Sequence, residues 1–169
     1  MIPASLQPWF VLVHVLSVLA FVLFHGASAM VALRLRSESE PARIRALLEL
    51  SSATLGGAYG ALILILVTGI VAGIVGGWWT SGRLWLWASV GLFIAVSVAM
   101  SVIAVPYLNT VRRAVGLPTR DDRPGEPLAP RATDTELGAL LLSRRPAVSA
   151  AVGLGGLALI TWLMMFKPW

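Results

Sequence analysis

Four long stretches of the chain contain no Asp, Glu, Lys or Arg: Met1–Leu33, Leu50–Gly82, Leu84–Val111 and Pro146–Phe166. A helix needs about 20 mostly apolar residues to cross the hydrocarbon core of a bilayer, and each stretch is long enough. None alternates apolar and polar positions as the strands of a membrane barrel do. The pattern predicts an all-α membrane protein with four transmembrane helices at about 9–33, 54–77, 85–110 and 146–166. Connected in order, they form an up-down-up-down bundle.

The segments between the spans carry their own signals. Ser37-x-x-Glu40 has the spacing of a capping box, and Pro41 suits the first turn of a helix running through Ile44, Leu47 and Leu48 into the membrane. Arg45 and Glu49, four apart, form a candidate ion pair on that helix. Gly116 to Thr133 holds Pro118, Pro124, Pro127 and Pro130 among charges. Such a composition packs no core, so 116–133 is expected to be a mobile linker. Thr133 or Asp134 then opens a short amphipathic segment with Leu137, Leu140 and Leu141 on one side, broken by Pro146.

Composition narrows the class. Of 169 residues, 57% are hydrophobic and 12% charged, whereas an average soluble domain is roughly a quarter charged. A soluble enzyme, a disordered chain and a disulfide scaffold all fit poorly. The chain has no cysteine, which removes disulfides, thiolate metal sites, cysteine nucleophiles and covalent c-type haem attachment.

The net charge of +5 is informative only by position. Arg34, Arg36, Arg43 and Arg45 lie between the first two spans, and Arg112, Arg113, Arg120, Arg123, Arg131, Arg144 and Arg145 between the last two. The opposite side has only Arg83 and Lys167. The positive-inside rule then places both loops in the cytoplasm and both termini outside. Trp9, Trp78, Trp79, Trp85, Trp87 and Trp169 fall at the predicted outer ends, with Trp162 one turn below, as an aromatic belt. The arginines read as topology signals and lipid headgroup contacts, not as a nucleic-acid site. Ala27-Ser28-Ala29 resembles a signal-peptide cleavage site. No positive charge precedes the apolar stretch, however, and that stretch exceeds a signal's apolar core, so the first helix is expected to be retained.

Small residues predict close helix packing. Gly56-x-x-x-Gly60 and Gly69-x-x-x-Gly73 lie on the second span. Gly91, Ala95 and Ala99 lie on the third, and Ala147, Ala151 and Gly155, with Gly153 and Gly156 beside them, on the fourth. These stripes are expected to join the four helices into a compact bundle. The faces of Gly56, Gly60, Gly69, Gly73, Gly91, Ala95 and Gly155 are also candidates for a homodimer or for other membrane subunits.

Only two ionisable groups lie within the spans, His14 and His25, both on the first. Eleven residues apart, they share one face about 20° apart and are separated by about 16 Å. Two histidines so far apart hold no common metal ion. One imidazole at each level is how b-type haem is held, which makes His14 and His25 candidate axial ligands. Gly26 would let a flat group approach the backbone. The other spans have no histidine, so a second ligand must be Met30, Met100 or the same histidine of a second subunit, unless the haem is five-coordinate. The plain alternative is that each histidine hydrogen-bonds a serine, a tyrosine (Tyr59 or Tyr107) or a backbone carbonyl between helices.

No nucleophile elbow, P-loop, paired carboxylates or His-Glu-x-x-His occurs. The residues point first to a non-catalytic accessory or scaffolding subunit of a membrane assembly. The alternatives are a b-type haem protein for electron transfer or haem handling, and a small-solute or metal-ion transporter along the histidine stripe. Whether the chain is an enzyme stays open.

Trp9-Phe10-Val11-Leu12-Val13-His14, His25-Gly26-Ala27-Ser28-Ala29, Leu33-Arg34-Leu35-Arg36, Arg43-Ile44-Arg45-Ala46-Leu47-Leu48, Gly76-Gly77-Trp78-Trp79 and Met165-Phe166-Lys167-Pro168-Trp169 together resemble a group of bacterial four-helix integral membrane proteins. That group is similar to the copper-resistance protein D and membrane protoporphyrinogen-oxidase type. The resemblance implies a multi-pass protein of the bacterial cytoplasmic membrane. It also implies haem binding through a histidine of the first helix, at the position of His14. The chain departs from the oxidase pattern in having no lysine or arginine within its spans.

Overall fold

A computed structural model describes residues 4–79, 83–119, 122–123, 125, 127–128 and 130–168. Met1, Gly82, Arg120, Pro124 and Trp169 lie outside the described residues. Five α-helices follow in order: α1 (Gln7–Arg34), α2 (Pro41–Val75), α3 (Leu84–Ala114), α4 (Asp134–Leu141) and α5 (Arg145–Phe166). Four of them, α1, α2, α3 and α5, are long and apolar enough to cross a membrane. At 35 residues α2 spans roughly 50 Å, so its first turns, with Arg43 and Arg45, project beyond a core about 30 Å thick.

The ends of the helices alternate. The end of α1, the start of α2, the end of α3 and the whole of α4 meet at the arginine-rich end. There Val31, Leu35, Ile44, Leu48, Tyr107, Val111, Leu137 and Leu141 form one buried cluster. At the tryptophan-rich end the α2–α3 turn stacks Trp78 edge-on to Trp85, 5.9 Å between ring centres, and the Lys167 ammonium lies over both rings. The bundle is therefore up-down-up-down. Trp85 is only 2% exposed, so it belongs to the interior of that end and not to an outer belt, while Trp9, Trp87 and Trp162 are exposed.

The packing is not an even four-helix bundle. The α1 helix lies along α2, and α3 along α5, while the two pairs touch each other far less. Between the pairs runs a cavity of about 990 Å³.

The small-residue stripes explain part of this arrangement and correct the expectation drawn from them. A Cβ at Gly56, Gly60, Gly91 or Gly155 would meet nothing within 4 Å, and Ala95 is exposed, so those faces point away from the bundle. Other residues named with the stripes do make close approaches, His14 on Gly69, the Trp79 indole on Gly73 and Val96 on Gly156, and Phe24 packs on Gly57, which the stripes did not include. Because lipid and protein interior are equally apolar, a stripe of small residues does not say which side it faces.

The loops are tied at specific atoms. α4 begins with a capping box in which the Glu136 amide donates to Thr133 Oγ1 (3.4 Å) and the Thr133 amide donates to the Glu136 carboxylate (2.9 Å). The Ser37–Glu40 capping box does not form. The Ser37 hydroxyl donates to the Arg34 carbonyl, and Glu40, without a side-chain cap, stands before Pro41 in the first turn of α2. The reason is that α1 continues as a tight turn through Leu35–Ser37, which leaves Ser37 in the previous element. Arg45 does not pair with Glu49 but donates to the Val115 carbonyl at 3.0 Å. Within 116–133, Ala132 donates to the Ala114 carbonyl, and Leu117 and Ala132 pack on the core. Both ends of that segment are therefore held.

Candidate functional site

The cavity between the helix pairs holds both histidines. His14 and His25 lie on the same face of α1, as their spacing predicts, and both line the crevice. They are treated differently by the helices around them.

His14 is fastened to α2. Its Nδ1 lies 3.1 Å from Thr68 Oγ1, and that hydroxyl itself donates to the Leu64 carbonyl one turn back. With its only hydrogen so used, Thr68 accepts from Nδ1, which assigns the proton to Nδ1. Gly69 makes the approach possible: a Cβ there would lie 3.0 Å from His14 Cε1. This is the interhelical hydrogen bond expected of a lone membrane histidine, made with a threonine.

His25 makes no such bond. Its ring stacks in parallel on Phe21, 5.1 Å between centres and 7° between planes. Its Nε2 faces α5, where a Cβ on Gly153 would lie 2.8 Å away, and Met100 Sδ of α3 approaches the same point to 3.5 Å. Nε2 is buried and lacks a hydrogen-bond partner among the described residues. Tyr107 does not provide one, since its own hydroxyl is equally unpartnered.

Of the other candidate residues, Met100 lines the crevice beside His25. Gly26 and Met30 do not. A Cβ on Gly26 would meet open space, and Met30 is 67% exposed. One and five residues beyond His25, they are turned about 100° and 140° around the helix, away from the cavity. The glycines that let the two histidine rings approach a backbone are Gly69 on α2 and Gly153 on α5, not Gly26 on α1.

Three buried polar atoms lack a partner among the described residues: His25 Nε2, Tyr107 Oη and Ser149 Oγ. All three residues line this one cavity. Sequence reasoning named Tyr107 only as a partner for histidine and passed over Ser149. The usable signal was the Ser149–Gly153 spacing of four on α5, beside the Ala147–Ala151–Gly155 stripe. At the arginine-rich end of the crevice Arg112 donates from Nη1 to the Leu48 carbonyl (3.2 Å) and Ser52 Oγ (2.7 Å), and from Nε to the Pro118 carbonyl (2.8 Å). Among the described residues no carboxylate lines the cavity. Among the described residues no three His, Cys, Asp or Glu side chains gather to hold a metal ion.

The two histidines offer a haem different prospects. At His25, Nε2 abuts α5 at Gly153, and a macrocycle has no gap to enter between them. At His14 the Nδ1 proton is engaged, which leaves Nε2 as the lone-pair nitrogen of a ring that borders the cavity, and a histidine fixed through its second nitrogen suits ligation. No protein-family model matches this chain, and comparison with curated proteins and with solved structures returned no match.

Proposed function

We propose that this small multi-pass membrane protein binds a lipid-soluble ligand or cofactor in the crevice between its helix pairs. The observation that carries the proposal is the convergence of three unpartnered buried polar atoms on one cavity of about 990 Å³. A buried polar group without a partner is costly, and ligand sites combine apolar walls with a few convergent polar atoms. Haem b is one such occupant. His14 is the residue that suits it, in line with the resemblance carried by the helix 1 residues, and a bound haem would supply one-electron redox chemistry. The arginine-rich end then faces the bacterial cytoplasm and both termini lie outside.

The test is extraction of the detergent-purified protein and mass spectrometry of what it releases, together with an absorption spectrum. A small lipid-soluble molecule near one per chain supports the proposal, and a Soret band that His14→Ala abolishes assigns haem. A chain that releases only bulk membrane lipid in bulk proportions overturns it.

A second reading, an accessory subunit of a membrane assembly, draws on the outward glycines Gly56, Gly60, Gly91 and Gly155. Bulky replacement there should dissolve a complex recovered from native membranes without unfolding the chain.

A further inference from the structure

The two halves of the crevice differ in chemistry. Toward the tryptophan-rich end the walls are mostly aliphatic, with Val18, Leu62, Ile65, Val90, Leu157 and Ile160, and the polar groups among them, His14 and Ser89, are hydrogen-bonded to Thr68 and to the Trp85 carbonyl. Toward the arginine-rich end they carry His25, Ser149 and Tyr107, of which Ser149 and Tyr107 are 7% and 4% exposed. Gly153 and Ser149 are four apart on α5, and Met100 and Tyr107 are seven apart on α3. Each pair shares one helix face. Since His25 and Met100 both approach α5 at Gly153, the two hydroxyls follow His25 along the crevice, one and two turns closer to the arginine-rich end.

This polar track constrains its occupant. Water alone does not fill a cavity with mostly apolar walls. An anionic head finds no cation at the level of His25, and Arg112 is already committed through Nε and Nη1 to two carbonyls and Ser52. A cationic head finds no carboxylate among the described residues of the lining. A charged group at that depth would in any case be expensive. Two hydroxyls and an imidazole nitrogen can all donate, so the matching head is neutral and accepts hydrogen bonds. Phe21 stacked on His25, with Tyr59 also in the walls, suits a flat ring.

We infer that the crevice binds a neutral lipid-soluble molecule with carbonyl acceptors on a flat ring, the chemistry of an isoprenoid quinone. Its ring lies along His25, Ser149 and Tyr107, and its tail follows the aliphatic wall toward the tryptophan-rich end. This assignment rests on the crevice being a ligand site.

The full chain, purified in detergent, is titrated calorimetrically with a short-chain ubiquinone, with oleate and with a short-chain diacylglycerol. Saturable binding of the quinone is expected. Tyr107→Phe and Ser149→Ala, which keep the packing, should each weaken it about fivefold, the worth of roughly one hydrogen bond. Val98→Ala, on the outer face, should leave it unchanged. Binding that both crevice variants leave intact overturns the placement. Binding of oleate or diacylglycerol but not of quinone overturns the quinone chemistry and leaves the ligand site standing. Failure of all three probes, with nothing co-purifying, overturns both.

Discussion

The His25 imidazole meets α5 at Gly153, and a Cβ at that glycine would lie 2.8 Å from Nε2. One residue type on one helix thus sets how closely another helix's histidine can approach. Gly153→Ala should push His25 off its Phe21 stack and lower thermal stability in detergent by about 1–3 kcal/mol, the usual cost of overpacking. Gly155→Ala, which adds a methyl to open space, should be neutral or slightly stabilising, because alanine is the better helix former. Equal effects from the two variants would refute this account of Gly153.

The His14–Thr68 bond predicts coupling between α1 and α2. A double-mutant cycle of His14→Ala and Thr68→Val should show an interaction energy of roughly 0.5–2 kcal/mol, the range for hydrogen bonds between membrane helices. The same cycle with His25→Ala and Thr68→Val should show none, since His25 looks toward α5. Reversible unfolding in mixed detergent measures both.

The two capping-box sequences predict opposite outcomes. Thr133→Ala removes a side chain that accepts from Glu136 and should cost about 1 kcal/mol, exposing the 116–133 segment to faster proteolysis. Ser37→Ala removes no helix cap and should leave the digestion pattern unchanged. Leu137→Ala, in the buried cluster that α4 closes, should cost about 2–5 kcal/mol.

Asp122 predicts a pH dependence. The Thr119 backbone N–H, then the Thr119 hydroxyl and Arg113, hold its carboxyl below the ordinary aspartate range. A folded-state value below the unfolded one stabilises above the unfolded value, and the contribution fades as pH falls through the folded one. Hydrogen exchange at the Thr119 amide, corrected for the intrinsic pH dependence, should show constant protection from neutral to mildly acidic pH. Protection should be lost only below the aspartate range. Asp122→Asn should already exchange faster at neutral pH.

Much of the fold was legible because it rests on local physics. Charge-free runs located the four helices long and apolar enough to cross a membrane, Pro41 marked the start of α2, and Thr133 with Leu137, Leu140 and Leu141 marked α4. The angular period of a helix put His14 and His25 on one face. The Ser37 box failed because its spacing is satisfied equally by a chain that has not yet left the previous turn. Gly26 and Met30 were drawn to the site by nearness in sequence, yet one residue already swings a side chain by 100° around a helix.

The sequence by itself determined a membrane protein of four spans with no Asp, Glu, Lys or Arg inside them and only two histidines, on one helix face. Hydration physics compels that result, because charge is excluded from hydrocarbon wherever the chain crosses it. Only the tertiary structure decided that the helices close as two pairs with a crevice between them. It also decided that His14 is tied to Thr68, and that His25 is left with Ser149 and Tyr107 facing that space. In a bilayer the outside of a helix is as apolar as its inside, so hydrophobic pattern cannot choose the packing face. Contacts such as those at Gly69 and Gly153 make that choice, between residues far apart in the chain.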